Sequence, residues 1–430
     1  MITASHFRGK RYAVLGLARS GRATVAALAA SGANVFAWDD NQGHDAQIGG
    51  ADIVDLHSAD FAALGLDALV LSPGVPLNTH PLATKARAAN VPIIGDIELF
   101  AQARAELPPH RVVGITGTNG KSTTTALIHH ILATAGIEAR MGGNIGLPIL
   151  GQPPLGAGGV YVLELSSFQI DLTQNLACDV AVLLNITPDH LDRHGDLAGY
   201  AAAKERLFTM QRAADVAVIA VDDALTRAIA DRATARVVRV SASDIAMVDQ
   251  QNWPSLQGPH NAQNVAAAVA AVRALGVGEE AIGKGLASYP GLPHRMERVD
   301  EIGGVLFVND SKATNPTSSA PALAAYPAIH WILGGYAKTD ELDACLPHLG
   351  HVRAAYTIGK AGPMFARLLS DKVAHVVEAQ TLDNAVALAA AAAGPGDVVL
   401  LSPACASYDQ FTDFEARGRA FVQAVEALPR

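Results

Sequence analysis

The sequence predicts an α/β protein built from three domains, each with its own parallel sheet. Its 430 residues exceed what one hydrophobic core ordinarily holds. Short β-branched runs alternate with helical runs along the chain, which is the order expected of parallel sheets covered by helices. Two proline-rich stretches, 107–110 and 289–295, interrupt this alternation. We therefore predict domains at residues 1–105, 106–296 and 297–430.

The composition is that of a soluble α/β enzyme. Half of the residues (50%) are hydrophobic and 17% are charged. The net charge of −9 and the lack of Lys/Arg runs argue against a nucleic-acid partner. The three cysteines, Cys178, Cys345 and Cys405, lie far apart, which predicts buried thiols in a reducing compartment. The chain shows neither a signal sequence nor an apolar span of about 18 residues, so we expect a cytoplasmic protein without a membrane partner.

The first domain begins with a strand, a glycine turn and a helix. A second strand follows at 34–38 and ends at Asp39, about twenty residues past the glycines, as in dinucleotide-binding units. Ala18 stands where the middle glycine of that fingerprint belongs. The pattern indicates a Rossmann-like domain for a diphosphate-containing ligand, with NAD as one candidate. Ser72-Pro73-Gly74 follows another strand and is either part of the same ligand edge or a plain turn.

The second domain begins with a phosphate-binding pattern. A buried strand at 112–116 leads into Gly117-Thr-Asn-Gly120, then Lys121 and Ser122, then an apolar helix at 126–135. A helix N-terminus with free backbone N–H groups, a lysine and a hydroxyl can hold phosphates and Mg²⁺. Ile115 occupies the position of the first glycine of the ordinary motif, so this is a variant. We interpret the segment as the ATP site of a P-loop domain; the alternative is a chance glycine turn.

Further polar residues of the second domain suggest a hard-cation site. Glu164 lies in an apolar strand, where a carboxylate is costly unless it is paired or binds a metal. Asn144 lies in a glycine-rich loop, available to a ligand. The run from Asp189 to His194 imitates a zinc site but has no second cluster, so His190 beside Mg²⁺ is the better interpretation. Lys204, taken alone, is a surface lysine on a helix.

Two further features are an asparagine pair ahead of the third domain and three strand–loop segments within it. Asn261 and Asn264 lie at the start of an apolar helix, where they either cap it or recognise a base. The segments at 304–315, 329–338 and 397–407 are strands that each end in a polar loop. Three such loops at the carboxyl ends of strands predict a second Rossmann-like sheet, with its site along one edge.

Several of these motifs together resemble those of the Mur ligase family, over essentially the whole chain. They are Gly117–Thr123, Glu164–Gln169, His260-Asn261, Leu292–Arg295 and Asn309–Asn315. The tail Ser402–Gly418 is similar to that of the D-glutamate-adding members. The resemblance implies ATP-dependent addition of D-glutamate to UDP-N-acetylmuramoyl-L-alanine through an acyl phosphate, in cytoplasmic peptidoglycan precursor synthesis. The small molecules are the only partners implied, and we expect a monomer.

The resemblance also implies a set of site residues for ATP and metal. The implied ATP-binding residues lie in all the nucleotide motifs: Gly117, Thr118, Asn119, Gly120, Lys121, Ser122, Thr123, Asn261, Asn264, His294, Arg295 and Asp310. Two Mg²⁺ ions are implied, and their ligands are Ser122, Thr123, Glu164, His190 and Lys204 as a CO₂-derived carbamate. The implied catalytic residues are Lys121, Glu164, His190, Lys204 and Lys312.

The substrate residues are implied in the same way. The UDP-substrate residues are Leu17, Ala18, Asp39, Ser72, Gly74, Asn144 and His190. The D-glutamate residues are Thr314, Lys338, Ser407, Tyr408 and Phe414. One departure is that Tyr336-Ala337 replaces an acidic residue that some relatives carry in this loop.

Other functions remain open at this point. A sister Mur ligase or a folylpolyglutamate synthase would add a different amino acid with similar motifs. An NAD-dependent oxidoreductase fused to an ATPase module and a non-catalytic nucleotide switch are the alternatives from other classes.

Overall fold

The computed structural model describes residues 1–40 and 48–429, apart from the side chains of residues 247 and 248. Within them the chain divides into two compact units. The first unit comprises residues 1–244 and 263–286, and the second comprises residues 245–262 and 287–430.

The first unit begins with a sheet of five described strands, all parallel, in the order β3-β2-β1-β4-β5. The strands are β1 (Arg11–Leu15), β2 (Asn34–Trp38), β3 (Asp52–Ile53), β4 (Ala68–Leu71) and β5 (Ile93–Ile94). The helices are α1 (Arg19–Ala30), α2 (Phe61–Leu64), α3 (Pro81–Ala88) and α4 (Asp96–Ala103). Because the strand order reverses at β1, the loops after β1 and β4 lie side by side at the carboxyl edge, where such sheets bind ligands.

The second sheet has six described strands, all parallel, in the order β11-β10-β9-β6-β8-β7. The strands are β6 (Arg111–Thr116), β7 (Ala139–Gly143), β8 (Val160–Glu164), β9 (Val180–Leu183), β10 (Val216–Ala220) and β11 (Arg236–Val240). The helices that follow these strands are α5 (Lys121–Thr134), α6 (Ser167–Asp171), α7 (Leu191–His194), α8 (Leu197–Thr209), α9 (Ala224–Arg232), α10 (Met247–Gln250), α11 (Pro259–Ala274) and α12 (Glu279–Ser288). β6 lies between β8 and β9, so its carboxyl end opens onto a crevice between two neighbours.

The third sheet belongs to the second unit and has the described order β12-β13-β17-β14-β15-β16. The strands are β12 (Glu297–Ile302), β13 (Val305–Asn309), β14 (Ile329–Gly334), β15 (Val352–Ile358), β16 (His375–Gln380) and β17 (Val398–Leu401). β12 is antiparallel to β13, and the other pairs are parallel. The helices are α13 (Pro316–Ala324), α14 (Gly362–Leu369), α15 (Leu382–Ala392) and α16 (Phe414–Glu426). Short 3₁₀ helices in the two units are Ser5–Phe7, Arg104–Glu106, Ile149–Gly151, Ala242–Asp244 and Asp343–His351.

The predicted α/β class with parallel sheets is confirmed, and two local interpretations change. α11 begins at Pro259, so Asn261 and Asn264 lie inside the helix, and neither caps it. Proline fits the first helical turn, where its missing N–H has no partner to lose. The polar run after Asp189 also contains a helical turn, α7.

The first two sheets share one hydrophobic core. A single cluster of buried residues contains Val14 and Val35 of the first sheet together with Val112 and Tyr161 of the second. Glu98 of α4 is 1% exposed, and its carboxylate accepts the backbone N–H groups of Gln174 (2.7 Å) and Asn175 (3.0 Å). These contacts attach the last helix of the first sheet to the loop that follows α6. The third sheet has buried clusters on both faces. In the described part of the chain, every helix is too short or too polar to span a membrane.

Candidate active site

The loop after β6 is shaped by two glycines. Gly117 (φ 150°) and Gly120 (φ 83°) both occupy the positive-φ region, which side chains with a Cβ rarely adopt. A Cβ at residue 120 would also collide with Oδ1 of Asn264. Asn185 holds the loop, since its backbone oxygen accepts the N–H of Thr118 (2.8 Å) and its Oδ1 accepts the N–H of Asn119 (2.9 Å). The chain is therefore fixed in the form of a cradle ahead of the α5 N-terminus.

Two lysines converge on this loop. Lys121 Nζ donates to the carbonyl oxygens of Gly117 (3.0 Å) and Thr118 (2.8 Å). Lys204 Nζ donates to the same Gly117 oxygen (2.9 Å) and lies 4.4 Å from the ring centre of Tyr200. Burial, together with the charge of Lys121, holds the pKa of Lys204 well below the ordinary lysine value. Lys204 is 1% exposed, so the interpretation of it as a surface lysine is wrong, because α8 turns it inward beneath the loop.

A buried carboxylate lies beside the cradle. Glu164, at the end of β8, is 2% exposed. Its Oε2 accepts the Ser122 hydroxyl (2.6 Å), and its Oε1 accepts the side-chain N–H of Asn144 (2.8 Å). Thr123 follows in the first turn of α5 and is half-buried. Hydroxyl and carboxylate oxygens are the ligand types that Mg²⁺ prefers.

His190 and His194 have different surroundings. His190 has φ 51° and a half-exposed side chain, and its ring lies 4.9 Å from that of Phe168 and 6.3 Å from that of Tyr200. His194 Nε2 instead hydrogen-bonds Ser167 Oγ (3.0 Å), and burial lowers its pKa. The ring of His190 is therefore accessible and lies next to Tyr200, whose ring also contacts the ammonium of Lys204. Across residues 1–40 and 48–429 no group of three or more His, Cys, Asp or Glu side chains forms a metal cluster.

The asparagine pair of α11 is divided between the two units. Asn264 belongs to the first unit, is 3% exposed, and accepts the Thr124 hydroxyl (3.3 Å). Asn261 belongs to the second unit and donates to the backbone oxygen of Gln257 (3.0 Å). Asn264 is thus placed next to the phosphate loop.

A cavity of about 560 Å³ opens at the carboxyl edge of the first sheet. Five of the residues predicted for the UDP substrate line it: Ala18, Asp39, Ser72, Gly74 and Asn144. The sixth, Leu17, is buried and donates its backbone N–H to Asp39 Oδ2 (2.6 Å). Ser72 Oγ donates to Gly16 O (2.8 Å), so the loops after β1 and β4 are joined as the strand order predicts. The seventh, His190, is not among the residues that line this cavity.

One wall of the cavity is acidic. Asp39 and Asp40 both line it, and Asp40 accepts Trp38 Nε1 (2.7 Å), His57 Nε2 (2.9 Å) and His80 Nε2 (2.8 Å). Burial raises the pKa of Asp40, but these hydrogen bonds outweigh it, so the pKa lies below its usual value. Carboxylate oxygens accept hydrogen bonds, so this wall favours ligand groups that donate them.

In the second unit, a cluster forms where β13 ends. Lys312 Nζ lies 4.1 Å from the ring centre of Phe414, whose ring is 6.2 Å from that of His294. His294, with φ 63°, is linked to this edge because its backbone oxygen accepts the N–H of Lys312 (3.0 Å). Burial raises the pKa of Asp310 to about 7, against the opposing charge of Arg295. Its carboxylate accepts the Ser402 hydroxyl (2.8 Å).

The residues predicted for D-glutamate lie on neighbouring loops of this sheet. The backbone of Tyr336 pairs with Ala406 in both directions (2.8 and 3.0 Å), which brings the loop of Lys338 beside the segment of Ser407 and Tyr408. Ser407 is buried, whereas Tyr408 is 74% exposed and Lys338 is also exposed. Thr314 is half-buried ahead of α13.

Two residues were missed by the sequence reasoning. Arg417 is 1% exposed and donates to Ser311 Oγ (3.0 Å), Ser311 O (2.8 Å) and Cys405 O (3.0 Å), while burial lowers its pKa to about 10. It holds the loops after β13 and β17 together. Asn185, the support of the phosphate loop, was also missed. The available signals were an arginine one turn after Phe414 and a polar residue at the end of an apolar strand.

Comparison with known proteins gives a consistent result. Residues 115–272 match the Mur ligase middle domain, and residues 294–405 match the glutamate ligase domain of Mur ligases. The UDP-N-acetylmuramoylalanine--D-glutamate ligase of Novosphingobium aromaticivorans is 62% identical over 100% of the chain and 97% of its own length. The enzymes of the same name from Sphingopyxis alaskensis and Zymomonas mobilis are 61% and 58% identical, each over the full length of both chains.

Solved structures show the same fold at low identity. MurF ligase from Thermotoga maritima in complex with ADP has a TM-score of 0.62 at 18% identity, covering 97% of this chain and 95% of its own. UDP-N-acetylmuramate-alanine ligase MurC from the same organism has a TM-score of 0.58 at 17% identity, covering 97% and 99%.

Proposed function

The chain belongs to the Mur ligase family, and we propose that it joins D-glutamate to UDP-N-acetylmuramoyl-L-alanine at the expense of ATP, a step of peptidoglycan precursor synthesis. The observation that carries this is the 62% identity, over the whole chain, to a ligase with that name. A sister ligase or a folylpolyglutamate synthase is not favoured, because the relatives that match over the full chain carry the D-glutamate name. An oxidoreductase or a nucleotide switch has no support from them either.

The reaction needs two displacements. The alanine carboxylate oxygen attacks the γ-phosphorus of ATP, and ADP leaves. The amine of D-glutamate then attacks the acyl carbon, loses a proton, and phosphate leaves. The protein must hold crowded anions in line, so its contribution is positioning and charge compensation.

The ATP phosphates are assigned to the residues 117–123. The N–H groups at the α5 N-terminus and the ammonium of Lys121 supply positive charge to the transferring phosphoryl group. In the structure Lys121 bonds two loop carbonyls, and a phosphate offers stronger, charged acceptors in their place. Asn261 and Asn264 are assigned to the adenine. His294 and Arg295, at the end of the second domain, are assigned to the nucleotide, and Asp310 of the third domain to the ATP phosphates.

The donor set beside the loop fits Mg²⁺. Ser122 and Thr123 offer hydroxyl oxygens in the first turn of α5, and Glu164 offers a carboxylate at the end of β8. The 2.6 Å contact of Ser122 with Glu164 holds two of these side chains together. We assign a first ion to them and a second to His190 and Lys204. Bound Mg²⁺ supplies compensation of the phosphate charge.

Lys204 is proposed to carry a carbamate. Its lowered pKa favours the neutral amine, whose nitrogen bonds the carbon of CO₂ with loss of a proton. The product would give a hard metal carboxylate-like oxygens in place of an ammonium. Protein grown and exchanged under ¹³C-labelled CO₂ should show a carbamate carbon resonance that Lys204→Ala lacks. Equal spectra for the two proteins would contradict this modification.

The UDP end of the substrate is assigned to the cavity of the first sheet. Asp39 and Asp40 suit the N–H and hydroxyl donors of a nucleoside, and the start of α1 suits the diphosphate. Asn144 supports the link to catalysis, because it both lines the cavity and donates to Glu164. With His190 it is assigned to the sugar-peptide end.

D-Glutamate is assigned to the third domain. Lys312, Lys338, Thr314 and Ser407 offer cations and hydroxyls for its carboxylates, with Tyr408 and Phe414 as apolar walls. The domain ranges 1–105, 106–296 and 297–430 are kept as part of the proposal; their support is that each sheet lies wholly within one range. The monomeric state and cytoplasmic location stay predictions.

The test is phosphate release by the purified protein with ATP and Mg²⁺. We expect release only when UDP-N-acetylmuramoyl-L-alanine and D-glutamate are both present. We expect none when L-glutamate, L-alanine or diaminopimelate replaces D-glutamate. Turnover with one of these other amino acids, and none with D-glutamate, would overturn the assignment.

A further inference from the structure

The second unit contains a cavity outside the proposed reaction site. It has a volume of about 380 Å³ and lies at the carboxyl ends of β15 and β16. Its walls include Thr357, Lys360, Glu378, Gln380, Asp409 and Gln410, none of which belongs to the sites assigned above. Small-molecule sites occupy cavities of roughly 300–1,000 Å³, so the volume is sufficient for a small metabolite.

Asp409 presents an unsatisfied carboxylate oxygen there. Its Oδ2 accepts the backbone N–H of Lys360 (2.8 Å), whereas its Oδ1 is buried without a hydrogen-bond partner. A buried polar atom without a partner destabilises the folded state, and more strongly when it is charged. A ligand that donates a hydrogen bond to Oδ1 removes this cost.

Thr357 presents a second unsatisfied group. The residue is 0% exposed, and its hydroxyl has no hydrogen-bond partner. The hydroxyl faces Gly362 at the start of α14, where a Cβ would lie 3.5 Å from Oγ1. Two unpaired polar atoms on walls contributed by different segments are the arrangement of a ligand site, because one small molecule can satisfy both.

The charges of the walls define the class of ligand. Asp409 and Glu378 are anionic and Lys360 is cationic, so the cavity favours a positive group near the carboxylates and tolerates a negative group near the lysine. We propose that this cavity binds a small zwitterion with a primary amine, of the amino-acid class, with its ammonium group donating to Asp409 Oδ1.

Occupation of this site acts on the loops assigned to D-glutamate. The N–H of Ala361 donates to Gly335 O (2.9 Å), in the loop that leads to Lys338, and Asp409 lies two residues beyond Ser407. A ligand held between Asp409 and the β15–α14 loop therefore stiffens both substrate segments and lowers the KM for D-glutamate. This consequence rests on the proposed function; the binding itself does not.

The binding test uses calorimetry on the full chain without ATP, UDP substrate or D-glutamate, because D-glutamate is itself a zwitterion of the class proposed for this cavity. The probes are glycine, L-alanine and L-serine, with methylammonium and acetate as the two halves of the zwitterion. We expect saturable binding of a zwitterion, weaker binding of methylammonium, and none of acetate.

Two variants and a control locate the site. Asp409→Asn and Thr357→Val should each weaken binding about tenfold, the value of one hydrogen bond of about 1.4 kcal/mol. Asp371→Asn, an exposed carboxylate outside the cavity, removes the same charge and should bind as the parent does. Failure of every probe to bind the parent protein, or equal binding by the parent and both cavity variants, overturns the site.

The coupling is measured by steady-state kinetics, separately from the binding. With the bound zwitterion present, the KM for D-glutamate should fall about threefold or more in the parent and stay constant in Thr357→Val. Binding without any change in KM overturns the coupling. A protein that binds the zwitterion but has no ligase activity contradicts the proposed function instead.

Discussion

The two ligand edges of the first unit have the same architecture and different charged side chains. In each, a central strand ends in a glycine with positive φ and a helix follows, starting at Arg19 in the first sheet and at Lys121 in the second. The first edge carries the carboxylates of Asp39 and Asp40, with Arg19 on the helix side, whereas the second carries two lysines around one carbonyl oxygen. The strand–glycine–helix arrangement thus sets where a ligand binds, and the loop side chains set which chemical group of the ligand binds there.

Removal of the cation at the second edge should have the largest effect. Lys121→Ala takes away a charge that stabilises the transferring phosphoryl group, and we expect a loss of kcat of about a thousandfold. Steady-state phosphate release measures it, with Lys284→Ala, an exposed lysine of α12, as the control. A loss of less than about tenfold would mean that the helix N-terminus alone compensates the charge.

Both edges rest on one hydrophobic core, and the buried carboxyl of Asp96 makes the stability of that core depend on pH. The carboxyl is buried in α4, and burial raises its pKa from 3.8 to about 6. The folded state therefore holds this proton more tightly than the unfolded state does. Protonation of Asp96 therefore contributes about 3 kcal/mol to the free energy of unfolding below about pH 4, and this contribution is lost as the pH rises through 6.

The side chain of the Asp96→Asn variant is neutral at all pH values. The difference in free energy of unfolding, variant minus parent, should therefore be about 3 kcal/mol larger at pH 8 than at pH 4. Urea unfolding at the two pH values measures the difference. An identical difference at both values would show that the Asp96 carboxyl does not titrate in the folded core.

A substitution of Glu164 distinguishes metal binding at the second edge from phosphate binding there. Glu164→Gln keeps an oxygen for the Ser122 hydroxyl but removes the negative charge, so half-maximal activity should need about 10- to 100-fold more Mg²⁺. Activity titrated against Mg²⁺ measures this, with Glu205→Gln as the control, since Glu205 of α8 is half-buried and pairs with Arg232 instead of the phosphate loop. An unchanged Mg²⁺ requirement would place the ion elsewhere.

The first edge should give the smallest effect, on binding alone. Asp39→Asn weakens one acceptor for the nucleoside, so we expect the KM for the UDP substrate to rise about tenfold with kcat nearly constant. The exposed Asp52→Asn in β3 is the control. A fall in kcat with constant KM would contradict the assignment of this cavity to substrate binding.

The parts predicted well from the sequence are those with local signals. The strand of β6, the glycines at 117 and 120 and the paired Lys121 and Ser122 form one contiguous pattern, and the structure places them as expected. β12 was not predicted, because four of its six residues are charged, as in a polar linker, and only pairing with β13 makes it a strand.

The supporting residues could not be predicted, since their partners are distant in sequence. Arg417 contacts Ser311 from 106 positions away, and Asn185 contacts Asn119 from 66 positions away. The environment of Lys204 depends in the same way on a loop 87 positions earlier. Only the family resemblance pointed to that lysine, because spacing along α8 does not show what lies above it.

The carboxylate of Glu98 limits how this chain can be recombined. It accepts two backbone N–H groups of the loop that follows α6. The buried residues of the first and second sheets also form one hydrophobic core. A gene fragment cut at residue 105 would lack Tyr161, whose ring lies 5.0 Å from that of the fully buried Phe100, and would expose this apolar side chain to water. Chimeras that exchange the N-terminal third for that of another enzyme therefore need a matching acceptor surface, and the natural unit of exchange is the first two sheets together.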